Sequence, residues 1–179
     1  MKTTSKTRWD KYFFDLCDVV ASRSPCMSRK GGAVIAIDNI VVSTGYNGPP
    51  RGVPHCNEIA FASFLKTAYH EDVSPVGAAQ ENTECPRRIL GYKSGTHLEL
   101  CPAVHAEENA IVAAARNGVS IRGATLYHNT EIPCRRCFGL AINAGIAEVV
   151  VKNDEFYDEM VRFYVANTRI LVRKFFLYP

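Results

Sequence analysis

The sequence predicts an α/β protein, a three-layer α/β/α sandwich built on a five-stranded mixed sheet. Three observations carry this reading. Two apolar runs, Ala33 to Ile37 and Ile40 to Tyr46, flank Asp38-Asn39 and read as a hairpin. A strand at Ala124 to Asn129, a helix from Cys134 to about Ala144 and a strand at Glu148 to Lys152 follow in the order of a right-handed parallel crossover. Helical apolar spacing brackets both segments, which places helices on the faces of one sheet.

Taken in order, Trp9, Tyr12, Phe13, Leu16, Val19 and Val20 recur at three- and four-residue spacings, so residues near 8 to 22 form an amphipathic helix whose aromatics are expected in the core. The hairpin follows and ends in a Gly45-Tyr46-Asn47-Gly48 loop. Residues 57 to 103 interrupt the core pattern with a helix at Glu58 to His70 and then a stretch rich in Cys, Gly and Pro. After His105 an alanine-rich helix runs to Asn117-Gly118, a good stop, with His105 in its first turn. Pro133 suits the first turn of the next helix, because its missing N–H costs nothing there. The tail offers a helix near Asp158 to Asn167 and a strand at Ile170 to Phe176. Residues 1–179 are expected to form a single domain with a cysteine-bearing insertion at about 57–103.

Composition narrows the function. A net charge of +3 is mild, and apart from Arg87-Arg88 and Arg135-Arg136 the basic residues are scattered. That pattern gives no electrostatic footprint for stable nucleic-acid binding and suits a small nucleotide better. The N-terminus lacks an apolar signal core, and no apolar run approaches the roughly 20 residues that span a bilayer, so a soluble, cytoplasmic protein without a membrane partner is expected. In that setting, seven cysteines with Cys-x-x-Cys spacing read as metal ligands rather than disulfides.

The chemistry concentrates in His105-Ala106-Glu107 and Pro133-Cys134-Arg135-Arg136-Cys137. His105, Cys134 and Cys137 make three zinc ligands, and a catalytic zinc stops at three and leaves the fourth position for water. Cys134 and Cys137 are three apart, so both sulfurs lie on one helix face, near an N-terminus that favours thiolate. Glu107, two residues after a ligand, can point at a zinc-bound water rather than at the metal, the arrangement that proton transfer during hydrolysis requires. The alternatives are a redox pair or half of a closed zinc site for the cysteines, and a dipole-stabilised first-turn carboxylate for Glu107. The paired motif decides against them, since His-x-Glu followed by Pro-Cys-x-x-Cys is the signature of zinc nucleobase deaminases.

From about Trp9 to Val151 the chain resembles the deoxycytidylate (dCMP) deaminases of the cytidine deaminase superfamily. The resemblance lies in Gly45-Tyr46-Asn47-Gly48-Pro49-Pro50, in Cys101-Pro102-Ala103-Val104-His105-Ala106-Glu107-Glu108-Asn109-Ala110-Ile111 and in Gly123-Ala124-Thr125-Leu126-Tyr127. It departs at Gly31-Gly32, where the family often has Val-Gly, and at Ile132-Pro133-Cys134, where Ser-Pro-Cys is commoner. The resemblance implies a cytidine deaminase-like fold and hydrolysis of dCMP to dUMP and ammonia. It also implies contacts to sugar and base from Asn47 and to the ring carbonyl from the Ala106 N–H, although Asn47 also suits a turn. Family members are commonly hexamers, activated by dCTP and inhibited by dTTP, each with Mg2+.

Other residues remain open at this level. Arg29-Lys30 is the best pair for a 5′ phosphate, with Arg116 or Arg135 or a merely solvated pair as alternatives. Tyr127 either lines the pocket or completes the core. Four cysteines in loops suggest a second, closed zinc that would hold an insertion with little core of its own. Family resemblance favours Cys26, Cys56, Cys85 and Cys101, with His55 and His97 as alternates; free buried cysteines are the plainer reading, and Cys17 is expected in the core. Competing functions are another deaminase of the superfamily, acting on a nucleoside, dCTP, another base or nucleic acid, and a noncatalytic zinc assembly module.

Overall fold

The computed structural model describes residues 5–71, 84–93, 95–156 and 158–175. Its elements are α1 (Ser5–Ala21), β1 (Gly32–Ile37), β2 (Ile40–Tyr46), α2 (Ile59–Tyr69), α3 (Pro86–Ile89), a 3-10 turn at Leu98–Leu100, α4 (Ala106–Arg116), β3 (Thr125–Glu131), α5 (Arg135–Asn143), β4 (Glu148–Asn153), α6 (Glu159–Ala166) and β5 (Leu171–Lys174). They fall into two compact units, Met1–Ser24 with Gly31–Asn47 and His105–Pro179, and Pro25–Lys30 with Gly48–Val104, the second of which contains the 57–103 insertion. Positions 72–83 and 94 of it, and Phe176 of the expected last strand, lie outside the described residues.

Within the first unit the sheet has the strand order β2-β1-β3-β4-β5. β1 is antiparallel to both β2 and β3, while β3, β4 and β5 run parallel, so the sheet is mixed as expected. Asp38 and Asn39 both have positive φ, 50° and 64°, the backbone that a two-residue hairpin matched to strand twist requires. Side chains alternate across the sheet. Val34, Ala36, Tyr127 and Val150 face α1, whereas Ala33, Ile35, Leu126, Val149 and Val151 pack with α4, α5 and α6. These are the three layers.

The first helix buries a narrower stripe than expected. Asp10, Phe13, Phe14, Cys17 and Ala21 are buried, but Trp9, Tyr12 and Val19 are exposed. At 3.6 residues per turn only one face can meet the sheet, and Trp9, Tyr12 and Val19 fall outside it. Trp9 instead stacks on Phe13 and Tyr12 meets it edge-on, with ring centroids 5.8 and 5.2 Å away. The same face of the sheet carries a part-buried ionic anchor. Arg173 donates to Asp10 at 2.6 and 2.9 Å and to Glu148 at 2.9 Å, and the Tyr127 hydroxyl donates to Asp10 at 3.2 Å.

Helix α4 sits on the strands through its backbone. Ala106, Ala110 and Ala114, one per turn, are buried, and a Cβ at Gly45 would lie 2.3 Å from both Ala106 O and Ala110 N. Ser43 Oγ donates to Ala110 O at 2.6 Å, and Asn109 Nδ2 donates to Tyr46 O at 2.8 Å. Asn117 caps the helix and Gly118 turns the chain at φ 66°, the expected stop.

The second unit has a small core: Phe61, Ala62, Leu65 and Leu100, with Cys56, Leu90 and Tyr92 against it. Its long segment is closed by Gly48 and Val104, whose N–H groups donate to each other's carbonyls at 3.1 and 2.8 Å. The helix expected at Glu58 to His70 is α2 with those two residues as its caps; Glu58 Oε1 accepts from His55 N at 2.6 Å, and His70 is left-handed at φ 57°.

The seat of α4 predicts that Gly45→Ala is costly. The added methyl has no flexible neighbour to displace, so the substitution should lower unfolding free energy by about 1–3 kcal/mol or more, read by denaturant unfolding. A variant as stable as the parent would show that α4 does not depend on this approach.

Candidate active site

His105 is the N-cap of α4 and Cys134 the N-cap of α5, with Cys137 one turn further in. Both ligands sit one place earlier than the sequence suggested, and Pro133 precedes the cap instead of filling the first turn. At the cap the backbone is extended, with φ −71° and ψ 159° at His105 and φ −63° and ψ 167° at Cys134. Cys134 Sγ lies 3.6 Å from His105 Nδ1, Cys137 Sγ 3.3 Å from the same nitrogen, and the two sulfurs are 3.6 Å apart. Tetrahedral zinc with bonds of about 2.0–2.3 Å has edges of roughly 3.3–3.8 Å, so the triad fits that ion. Among the described residues, it is the one set of three or more His, Cys, Asp or Glu side chains whose ligand atoms all lie within 4.8 Å.

The electrostatics also suit a cation. Hydrogen bonding from Cys137, assisted by His105, takes the Cys134 thiol down to about 3, so this sulfur is a thiolate. The same bond and burial push Cys137 up, and the bond to Cys134 raises His105. Glu108 ties the two helix starts together: its Oε2 accepts from His105 N at 3.1 Å and its Oε1 from Arg136 Nη2 at 3.0 Å.

Glu107 is buried in the first turn of α4. His128, on the same sheet face from β3, brings Nε2 to 3.7 Å from Glu107 Oε2. Sequence reasoning assigned His128 no role. The available signal was its parity with Leu126, which puts a polar side chain on the helix-covered face of a buried strand. Asn47 is anchored through Oδ1, which accepts from Ser24 Oγ and from Gly31 N, both at 2.7 Å. A Cβ on Gly31 would meet His128 Nε2, Asn47 Oδ1 and Ala106 Cβ at 3.5–3.7 Å, so these three groups converge around one bare position.

Two sequence expectations are corrected. Tyr127 does not join this group: strand alternation turns it to the α1 face, where burial pushes its hydroxyl up and Asp10 accepts its hydrogen bond. His97 is exposed, stacks on Tyr92 at 3.7 Å and pairs with Glu99 at 3.0 Å, so it is turned away from the cysteines. In the second unit Cys26, Cys56, Cys85 and Cys101 line one cavity together with His55 and Arg87. Burial, with Cys101, Cys85 and Cys26 as neighbours, pushes the Cys56 thiol up to about 12, and burial also raises Cys101. His55 Nδ1 is buried there without a hydrogen-bond partner. Arg29 and Lys30 are exposed. Cys17 is wholly buried in the α1 core, as expected, with its Sγ 3.4 Å from Tyr127 O.

Comparison with known proteins bears on this geometry. Residues 7–153 match the family model of the cytidine and deoxycytidylate deaminase zinc-binding region. The deoxycytidylate deaminase of Saccharomyces cerevisiae is 35% identical over 175 residues, which are 98% of this chain and 47% of the yeast protein. That of Mycobacterium phage D29 is 35% identical over 153 residues, 82% of this chain and 95% of the phage protein. The chain thus spans about half the length of the yeast relative and nearly all of the phage one. The fold is that of the dCMP deaminase from cyanophage S-TIM5, solved in complex with dCMP and dUMP, with a TM-score of 0.64 at 20% identity over 97% of this chain and 99% of that one. The zinc-fitting triad, the buried acid beside it and the match across both motifs lead to one assignment: this chain belongs to the cytidine and deoxycytidylate deaminase family.

Proposed function

We propose that the chain is a zinc-dependent deaminase that converts dCMP and water to dUMP and ammonia. The observation that carries this is a cradle of three zinc ligands with the buried carboxyl of Glu107 beside it. Zinc, when bound there, supplies Lewis acidity that makes water nucleophilic near neutral pH. The chain's own groups do the rest. Glu107 takes up the two protons of water in turn and delivers one to N3 of the ring and the other to the departing amine, as the C4–O bond forms and the C4–N bond breaks. The Ala106 N–H belongs to the first turn of α4, whose amides the helix itself does not pair, and is free by that geometry to donate to the ring carbonyl. Asn47, its amide plane fixed by Ser24 and Gly31, contacts sugar and base. Arg29 and Lys30, which precede Gly31 in sequence, are assigned the 5′ phosphate.

The second unit is assigned a structural zinc on Cys26, Cys56, Cys85 and Cys101, with His55 as alternate ligand. Support comes from their shared cavity, the unpartnered His55 Nδ1 and the small core that such an ion would brace; no three of these ligand atoms lie within 4.8 Å of one another, so the ion would draw the sulfurs together on binding. A hexamer with dCTP and dTTP as opposing effectors, each with Mg2+, is the assembly the family resemblance supports. A reducing, cytoplasmic setting, which keeps cysteines available as metal ligands, suits both zinc assignments.

Ammonia release measured side by side on dCMP, cytidine, dCTP and single-stranded DNA, with and without dCTP and dTTP, tests the reading. dCMP should lead, and Glu107→Gln should keep its zinc yet lose about a hundred to ten thousandfold in kcat. Preference for another substrate, or normal turnover by that variant, would overturn the assignment. Metal analysis should find about two zinc ions per chain, falling to about one in Cys85→Ser and unchanged in His97→Ala. One ion in the parent protein would remove the structural site.

A further inference from the structure

We propose that Ser24 is a positioning residue that makes Asn47 a hydrogen-bond donor to the sugar and so sets a preference for nucleotides with a 3′ hydroxyl over 3′-deoxy ones. The role rests on the deaminase reading above. Gly31 fixes the polarity of the Asn47 amide: a backbone N–H only donates, and it lies 2.7 Å from one corner, so that corner is Oδ1 and the other carries the hydrogens of Nδ2. The Gly31 amide is held in its turn. The next one, Gly32 N, donates to Asn129 Oδ1 at 2.8 Å, and Asn129 Nδ2 donates to Asp18 Oδ1 at 2.9 Å. Ser24 supplies a second restraint. It is 2% exposed, and its single hydroxyl hydrogen faces two oxygens of the same residue, the carbonyl and Oδ1 of Asn47, each 2.7 Å from Oγ.

One hydroxyl that holds both oxygens closes a ring across Asn47, so rotation about either side-chain torsion breaks a contact. With Ser24 and Gly31 on Oδ1, both lone pairs of that oxygen are engaged, and the amide can offer a ligand only hydrogens. The group it meets must therefore accept. In a 2′-deoxynucleotide the one sugar hydroxyl is on the 3′ carbon, and its oxygen accepts. Without the Ser24 hydroxyl, Oδ1 keeps the Gly31 bond alone, the amide plane swings about it, and Nδ2 spends less of its time on the line to the sugar. Discrimination falls with it. A fixed donor left facing no acceptor is penalised in full, which is how a site rejects an analogue that lacks a hydroxyl, whereas a donor free to turn finds another partner.

The test compares dCMP with 2′,3′-dideoxycytidine 5′-monophosphate as substrates of the zinc-loaded parent, Ser24→Ala, Asn47→Ala and the double variant. Ser24→Ala should lower the ratio of kcat/KM for dCMP over the dideoxy analogue about fivefold, towards the ratio of Asn47→Ala, and chiefly through KM for dCMP. A ratio of two substrates on one sample does not depend on how much of it is folded, so a merely structural role leaves it unmoved. Adding Ser24→Ala to Asn47→Ala should lower it no further. An unchanged ratio in Ser24→Ala, or a further fall in the double variant, would overturn the proposal. The contact is also read without turnover. In crystals of the substrate-free protein Asn47 should keep one conformer with Oδ1 on Gly31 N, and in Ser24→Ala its side chain should turn or split into two. An Asn47 unmoved in that variant refutes the role of Ser24 independently of substrate, whereas a parent protein inactive on dCMP whose Asn47 responds in this way refutes only the deaminase reading.

Discussion

Two helices begin at the same place, and that constraint organises the molecule. Each helix N-terminus carries roughly half a positive charge, so α4 and α5 starting side by side would repel one another and any cation between them. Negative groups at the caps offset this. Cys134 is a thiolate at the N-cap of α5, Glu107 and Glu108 stand in the first turn of α4, and Glu108 bridges to Arg136 on α5. The same arrangement draws His105 and both sulfurs to within 3.3–3.6 Å. The cradle is therefore the local solution to an electrostatic problem that the fold creates.

Holding that cradle requires α4 to be immobile, and the chain achieves it with small residues. Gly45 lets the α4 backbone approach β2 closely, alanines face the sheet once per turn, and Ser43 and Asn109 pin the contact by hydrogen bonds. The other face is held by an ionic cluster. There Asp10, Tyr127, Glu148 and Arg173 join α1, β3, β4 and β5. Adjacent residues of β3 thus serve opposite ends: Tyr127 locks the α1 layer, and His128 meets the acid of the active site.

Periodicity made most of the first unit legible. Alternation and the Asp38-Asn39 turn located the hairpin, and the alanine run with its Asn117-Gly118 stop located α4. What stayed illegible was facing. In α1 the spacing of Trp9, Tyr12 and Val19 satisfied a helical pattern, yet the sheet accepts a single stripe and they lie beyond it. In β3 the register that separates Tyr127 from His128 depends on which helix covers which face, and that is tertiary information. The second unit was harder still. Its boundaries are set by the Gly48–Val104 pairing, a contact across more than fifty residues that no local pattern announces.

The cysteines show how far environment, rather than residue type, decides chemistry. Cys17 lies among apolar side chains, where burial pushes its thiol up and it acts as a small hydrophobe. Cys134 meets a helix N-terminus and hydrogen-bond donors and becomes a thiolate. Cys56 and Cys101 fall between these cases: burial and neighbouring sulfurs hold them protonated, and the one nearby cation contributing to Cys101 is Arg87. Sulfurs that raise one another in a shared cavity are those that a divalent cation would convert to thiolates together. The repulsion that disfavours their ionisation one by one is the same interaction that a metal would reverse for the whole set, which is why the second unit, with its slight core, is a place where an ion would contribute most to folding.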